Sequence, residues 1–294
     1  MSHCQTPSIF VLNHTLFFLA KRFVAGQNIE EAVHVVRALN ERGITATLDV
    51  LGENVEDGHA AENAVSSYLT TLDCIQKAQL RSNVSLKLTQ MGLDISRDFC
   101  YSNLARICEK AGACHSYVRI DMEGSKYTEK TISVFLDLFR SYKSVGIVIQ
   151  AYLYRSEQDL RQLIDIGARV RLCKGAYKEP ADIAIQKMPE IRENFKKLAE
   201  MLLLRGNYPA IATHDDALIR WAKDYTRSHN IGKERFEFQM LYGVRSETQQ
   251  RLAQEGYNMR VYVPFGTHWL PYFYRRLRER RENVYFVLKN LFKG

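Results

Sequence analysis

The chain has 294 residues, 46% of them hydrophobic and 25% charged, which is ordinary for a globular protein with a large buried core. This length allows two small domains or one large barrel, and the absence of Ser/Gly/Pro-rich tracts favours a single compact unit. The net charge of +8 would suit a polyanion, but no aromatic-and-basic recognition motif accompanies it, so no nucleic acid partner is expected.

The N-terminal residues 1–44 are predicted to form a helical arm packed on the rest of the fold. Ile29, Val33, Val36 and Leu39 recur at helical spacing and give one helix an apolar face. The apolar stretch 9–20 is too short for a membrane span and has no basic leader. The six cysteines form no CxxC pair, which indicates reduced thiols in the cytoplasm.

From residue 45 onward, short apolar runs alternate with amphipathic helical stretches, the pattern of a parallel sheet built by repeated crossovers. Eight strands are predicted, at 45–51, 83–89, 117–121, 146–152, 168–172, 210–213, 236–241 and 260–263. They predict an α/β fold, a (β/α)8 TIM-like barrel over residues 45–294. An open doubly wound sheet is the competing architecture, but the GxGxxG turn that usually follows its first strand is missing.

Polar side chains lie at nearly every predicted strand end, where a barrel of this type builds its active site. Burying charged groups in apolar strands is costly unless they are paired, so the repeated placement predicts a binding site. The residues are Glu53, Lys87, Asp121, Gln150, Arg171, Lys174, Thr213, His214, Gln239 and Tyr262. With Gly175 beside Lys174, the cluster favours a large anionic cofactor plus a small acid. A metal site at His214 and His268 is an alternative, but no metal is expected because the histidine spacing is unsuitable.

A predicted helix follows the last strand. Pro271 suits its first position, which places Arg275 and Arg276 in the first two turns, where the helix dipole disfavours positive charge. Two guanidinium groups could grip a planar carboxylate that compensates this mismatch. The alternative is a solvated charge run from Arg275 to Glu282.

Seven segments taken together resemble the proline dehydrogenase family in its compact bacterial monofunctional form. They are residues 51–53, 85–88, 120–123, 150–152, 171–177, 212–214 and 262–279. The likeness spans about residues 48–292, and the stretch 174–180 is similar to the compact branch in particular. Lys178 stands where the bifunctional relatives have a tryptophan, and this chain has two fewer residues between Tyr262 and the arginine pair.

The resemblance implies FAD-dependent oxidation of L-proline to Δ1-pyrroline-5-carboxylate, with electrons passed to a membrane quinone. It also implies transient contact with the inner face of the membrane and a separate pyrroline-5-carboxylate/glutamate semialdehyde dehydrogenase as downstream partner. The implied catalytic residues are Asp121, Arg171 and Tyr262. The implied substrate contacts are Lys87, Arg275, Arg276, Tyr272, Tyr177 and Glu53. The implied FAD contacts are Met122, Gln150, Arg171, Lys174, Gly175, Ala176, Thr213, His214 and Glu279.

Particular roles follow from the resemblance. Arg275 and Arg276 would hold the proline carboxylate, Glu53 would pair with Arg275 as a gate, and Arg171 would stabilise negative charge on the flavin. The phenol of Tyr262 would leave little space for a 4-hydroxyl group and so favour proline over hydroxyproline. Three other functions are weighed: a Schiff-base lyase using Lys87 or Lys174, a folate-reducing flavin barrel and a noncatalytic binding barrel.

Overall fold

The computed structural model describes residues 17–279, with side chains up to residue 277. Eight parallel strands follow one another in chain order around a closed barrel. They are β1 (Thr45–Val50), β2 (Ser82–Leu86), β3 (Val118–Ile120), β4 (Val145–Gln150), β5 (Arg169–Cys173), β6 (Ala210–Ala212), β7 (Glu237–Leu241) and β8 (Asn258–Phe265). The predicted (β/α)8 barrel is therefore confirmed.

Nine long helices are present among the described residues. They are α1 (Ile29–Glu41), α2 (Gly58–Lys77), α3 (Arg97–Ala113), α4 (Ser125–Ser141), α5 (Ser156–Asp165), α6 (Met188–Arg205), α7 (Asp216–Ser228), α8 (Ser246–Gln254) and α9 (Trp269–Glu279). Polar residues at the N-caps begin several of them, because a side-chain oxygen there accepts an otherwise unpaired backbone N–H. Asp57 accepts from Ala60 N at 2.9 Å, and Ser96 accepts from Phe99 N at 3.1 Å.

The helix before the first strand covers the seam at which the barrel closes. β1 pairs with β8 in parallel from Thr45 opposite Arg260 to Val50 opposite Phe265. α1 packs on both of these strands and on α2, with Ala32 and Val36 fully buried. The division of the chain at residue 44 stays a prediction, and residues 1–16 of the predicted arm lie outside the described part.

The last helix lies at the mouth of the barrel, where it contributes Tyr272, Arg275 and Arg276 to a cavity. Aromatic contacts with the N-terminal segment hold it there. The rings of Phe17 and Trp269 lie 5.3 Å apart, and those of Phe23 and Phe273 lie 6.3 Å apart. Thus α1 covers the flank of the barrel beside β8, whereas α9 contributes to the site.

The predicted positions of Lys87, Asp121 and Pro271 need correction. Lys87 and Asp121 were expected within strands, but each lies one residue beyond one, after β2 and β3 respectively. Lys174 likewise follows the last residue of β5. α9 begins two residues before Pro271, so the arginine pair lies at the end of its second turn. Since a helix dipole acts mainly within the first turn, it contributes less to anion binding here than expected.

Candidate active site

A cavity of about 590 Å³ opens at the C-terminal mouth of the barrel. Its lining comes from β4 to β8, from the connections after β2, β3, β5 and β6, and from α6 and α9. Fifteen predicted site residues line it: Lys87, Asp121, Met122, Gln150, Arg171, Lys174, Gly175, Ala176, Tyr177, Thr213, His214, Tyr262, Tyr272, Arg275 and Arg276. Glu53 lies on a neighbouring cavity, and the side chain of Glu279 lies outside the described part. The barrel therefore brings together residues that are up to 189 positions apart in the chain.

The carboxylate of Asp121 is the centre of a buried hydrogen-bond network. Its Oδ1 accepts from Arg171 Nη1 and from Ser85 Oγ, each at 2.6 Å, and its Oδ2 accepts from Tyr262 OH at 2.8 Å. Burial and then the negative charge of Asp121 raise the pKa of Tyr262 well above its usual value. The phenol is therefore protonated at neutral pH and acts as a donor. The network fixes Arg171 and Tyr262 relative to each other.

Arg171 has donor groups that no described residue engages. Its guanidinium is buried and lies 5.4 Å from the centre of the Tyr262 ring. Within residues 17–277, Nε and Nη2 have no hydrogen-bond partner. Buried polar groups are normally satisfied, so these N–H groups indicate an acceptor supplied by a ligand.

Lys87 forms a buried ion pair with Asp49, its Nζ lying 3.4 Å from a carboxylate oxygen. Burial alone would lower the pKa of Lys87, but the charges of Asp49 and Asp121 outweigh it and raise the pKa. Tyr68 OH lies 3.3 Å from Asp49 Oδ1 and donates to Ser85 O at 2.9 Å. The ammonium group is thus held in its charged form at the edge of the cavity.

The predicted pairing of Arg275 with Glu53 is present, with Nη1 donating to Oε1 at 2.7 Å. Burial disfavours the charge of Arg275, but the hydrogen bond to Glu53 offsets this and raises its pKa. Arg276 is buried against Tyr272, its guanidinium carbon 5.0 Å from the ring centre. Lys87, Tyr272 and Arg275 line both the main cavity and a second one of about 740 Å³, so the ion pair lies where the two meet.

A second group of charges lies beyond β5 and β6. Asp215 accepts from Lys174 Nζ at 3.2 Å and from Arg192 Nε at 2.7 Å. Burial opposes ionisation of Asp215, but these hydrogen bonds lower its pKa. His214 Nε2 accepts from Leu241 N at 2.9 Å, which helps to fix the orientation of the ring. Two cations against one carboxylate leave this part of the cavity with a net positive charge.

The backbone at Gly175 approaches a neighbouring ring closely. Its φ is +123°, and a Cβ built there would lie 2.4 Å from the ring of Tyr152. Only glycine fits both the backbone conformation and the space. The same wall contains Gln150, whose Nε2 donates to Glu123 O at 2.9 Å.

Sequence reasoning missed several site residues. Asp49, Ser85 and Asp215 each bind a predicted residue directly, and Arg192 binds Asp215. Asp49 could have been predicted from the sequence, since a lone carboxylate inside an apolar strand requires a partner. Ser85 and Arg192 could not, because a serine in a strand and an arginine on a helix are common and point to no site.

Comparison with known proteins identifies this arrangement. Residues 32–289 match the family model described as proline dehydrogenase. The chain belongs to the proline dehydrogenase family. It is 44% identical to proline dehydrogenase 1 of Bacillus subtilis (strain 168) and 42% identical to proline dehydrogenase 2 of the same organism. Each alignment covers 93% of this chain, and 91% and 90% of the respective relative.

A solved structure resembles the barrel at lower identity. It is that of proline utilization A from Bdellovibrio bacteriovorus inactivated by N-propargylglycine, with 27% identity and a TM-score of 0.85. The match covers 92% of this chain and 33% of that one. Membership in the proline dehydrogenase family makes this chain an enzyme of proline oxidation in proline catabolism, with L-proline as substrate. Among the described residues, no helix has the length and apolar character needed to cross a bilayer.

Proposed function

We propose that the enzyme oxidises L-proline to Δ1-pyrroline-5-carboxylate by hydride transfer from proline C5 to N5 of a bound FAD, and that a quinone then reoxidises the flavin. The observation that carries this proposal is the position of Arg171. Its Nε and Nη2 donors, which are buried and have no hydrogen-bond partner among the described residues, lie in the same cavity as Arg275, Arg276 and Lys87. The arginine pair and Lys87 thus favour binding of a carboxylate. The donors of Arg171 suit a cofactor that acquires negative charge during the reaction.

The residues present fit FAD in three respects. A cavity of about 590 Å³ is within the usual range for a bound organic molecule. The net positive group around Lys174 and Arg192 suits a pyrophosphate, and Gly175 allows close approach of the backbone. Met122, Gln150, Ala176, Thr213 and His214 complete the proposed cofactor contacts. When bound, FAD supplies the two-electron acceptor that no amino acid side chain provides.

The chain's own residues bind and orient the substrate. The carboxylate of proline is held by Arg275, Arg276 and Lys87. Arg275 either releases Glu53 to bind the substrate, or donates to Glu53 and to the substrate at the same time. Tyr177 and Tyr272 enclose the ring and exclude water, which strengthens the electrostatic contacts. Asp121 keeps Arg171 and Tyr262 in position, and the positive charge of Arg171 stabilises the charge that accompanies the hydride.

The same side chains disfavour a Schiff-base lyase. Its nucleophile would be a neutral lysine, whereas the pKa of Lys87 is raised because Asp49 and Asp121 outweigh the effect of burial. Lys174 is engaged by Asp215. We further propose that the enzyme works in the cytoplasm, touches the inner face of the membrane to reach its quinone, and hands its product to a separate dehydrogenase that forms glutamate.

The test is spectroscopic. Purified protein reconstituted with FAD should absorb near 450 nm, and anaerobic addition of L-proline should bleach that band. A short-chain quinone added afterwards should restore it. A protein that takes up no flavin, or a flavin band that proline leaves unchanged, would contradict the proposal. Trapping of a lysine adduct by borohydride would favour the lyase.

A further inference from the structure

We propose that Glu179 is a positioning residue that holds Tyr177 over the substrate by fastening the β5–α6 loop (residues 174–187) to the start of α4. This inference rests on the proposed function, because it concerns how proline is enclosed. Glu179 lines neither cavity, so it would act on the substrate indirectly, by fixing the loop that carries Tyr177.

The carboxylate of Glu179 binds the first residue of α4 twice. Its Oε1 accepts from Ser125 N at 2.7 Å, and its Oε2 accepts from Ser125 Oγ. The N-cap residue of α4 is Gly124, which has no side chain to satisfy these first N–H groups. A carboxylate at this end of a helix also interacts favourably with the helix dipole. The cap of α4 therefore comes from a different loop.

This contact joins two parts of the site. α4 begins four residues after Asp121, the carboxylate at the centre of the site. Glu179 follows two residues after Tyr177, and both Ala176 and Tyr177 line the cavity. Burial and the nearby charge of Glu123 raise the pKa of Tyr177 to about 12, which agrees with a neutral phenol facing the end of β3.

The two ends of the loop are fixed in other ways. At its start, Tyr152 N donates to Lys174 O at 2.9 Å. At its end, Ile185 N donates to Tyr152 O at 2.8 Å and Tyr154 N donates to Ile183 O at 3.1 Å. All of these contacts reach the segment after β4, whereas Glu179 fastens the middle of the loop to the other side, at α4. Without it, Tyr177 would have to be ordered during substrate binding, at a cost in affinity.

The experiment compares Glu179→Ala with Glu179→Gln, Ser125→Ala and a matched control, Ser96→Ala, in the FAD-loaded full-length protein. Ser96 caps α3 by accepting from Phe99 N at 3.1 Å and lines neither cavity. Its loss therefore reports what a missing helix cap does by itself. The readouts are steady-state proline kinetics, urea denaturation and hydrogen exchange of the peptide that covers 176–187.

Glu179→Ala should raise the proline KM about tenfold, equivalent to about 1.4 kcal/mol, and leave kcat within about twofold. Amides 176–187 should exchange at least about fivefold faster. Glu179→Gln should keep the KM within about threefold of wild type, since its amide can accept from Ser125 N and donate to Ser125 Oγ. Ser125→Ala should fall between the two, and Ser96→Ala should lower stability but leave the KM and the loop exchange unchanged.

Equal loss of stability in Glu179→Ala and Ser96→Ala, with wild-type KM and loop exchange in both, would overturn the proposal and reduce Glu179 to a helix cap. If Glu179→Ala does not fold, the same comparison is made with Ser125→Ala, which leaves the loop sequence intact. Hydrogen exchange needs no turnover. A wild-type protein whose flavin proline does not reduce would contradict the proposed function, whereas an active wild type with an unaffected Glu179→Ala variant would contradict this inference.

Discussion

Replacement of Arg275 by methionine tests the proposed carboxylate clamp directly. A bidentate charge-assisted contact contributes up to about 3 kcal/mol, or on the order of 10²-fold in kcat/KM. The side chain of Arg275 is 30% exposed and already donates to Glu53, so solvent screening and this competition lower our expectation to about 2 kcal/mol, or about 30-fold. Methionine keeps an unbranched apolar stem but lacks the guanidinium group, so the main change is the loss of its charge and donors.

The variant has a second consequence that must be separated from the first. Without Arg275, the carboxylate of Glu53 has lost the cation that binds it at 2.7 Å and repels the incoming carboxylate of proline. Two charges about 7 Å apart in water-like surroundings interact by about 0.6 kcal/mol, or about threefold in affinity. Arg275→Met combined with Glu53→Gln should therefore recover about threefold and still bind proline about tenfold more weakly than wild type.

The assay is anaerobic reduction of the bound flavin, followed near 450 nm over a range of proline concentrations, for the two single variants and the double variant. Glu53→Gln alone should stay within about threefold of wild type because the arginine is retained. Thermal unfolding serves as the control for stability. If the double variant regains wild-type affinity, Arg275 only neutralises Glu53 and does not bind the carboxylate of proline.

Three further predictions concern residues that line the cavity. Tyr262→Ser should lower proline turnover and relax discrimination against 4-hydroxyproline, because it removes both the ring and the 2.8 Å hydrogen bond to Asp121. Unchanged selectivity in competition assays would exclude a position of Tyr262 beside the substrate ring. Burial raises the pKa of Cys173 to about 12, so its alkylation by iodoacetamide at pH 8 should be on the order of 10³-fold slower than that of free cysteine. That rate, followed by peptide mass spectrometry, should rise about tenfold per pH unit up to pH 11, and a plateau above pH 9 would indicate an ordinary thiol. Lys87→Met should destabilise the fold by about 3 kcal/mol in urea denaturation because Asp49 loses its buried partner, and adding Asp49→Asn should recover most of that loss. No recovery would mean that the loss does not come from the unpaired Asp49.

The barrel could be predicted from the sequence because its signals are local. Each strand is a short apolar run, each helix has its own period, and the order of the runs determines the connections. Asp121 and Lys174 each lie within one residue of the strand end at which they were predicted, whereas Lys87 lies just beyond β2 and not inside it. The motif order then indicated the family, since those residues occur in a fixed sequence along the chain.

Only the tertiary structure decided which groups are partnered. Asp121 meets Tyr262 across 141 positions of sequence, and it meets Arg171 across 50. Closing the sheet on itself makes such contacts, and no local pattern encodes them. The same holds for the donors of Arg171 that have no partner in the described part of the chain, and for Glu179, which caps a helix 54 positions before it. A sequence lists the charges, but the fold determines which of them neutralise one another and which remain for a ligand, because electrostatic energy depends on distance and burial.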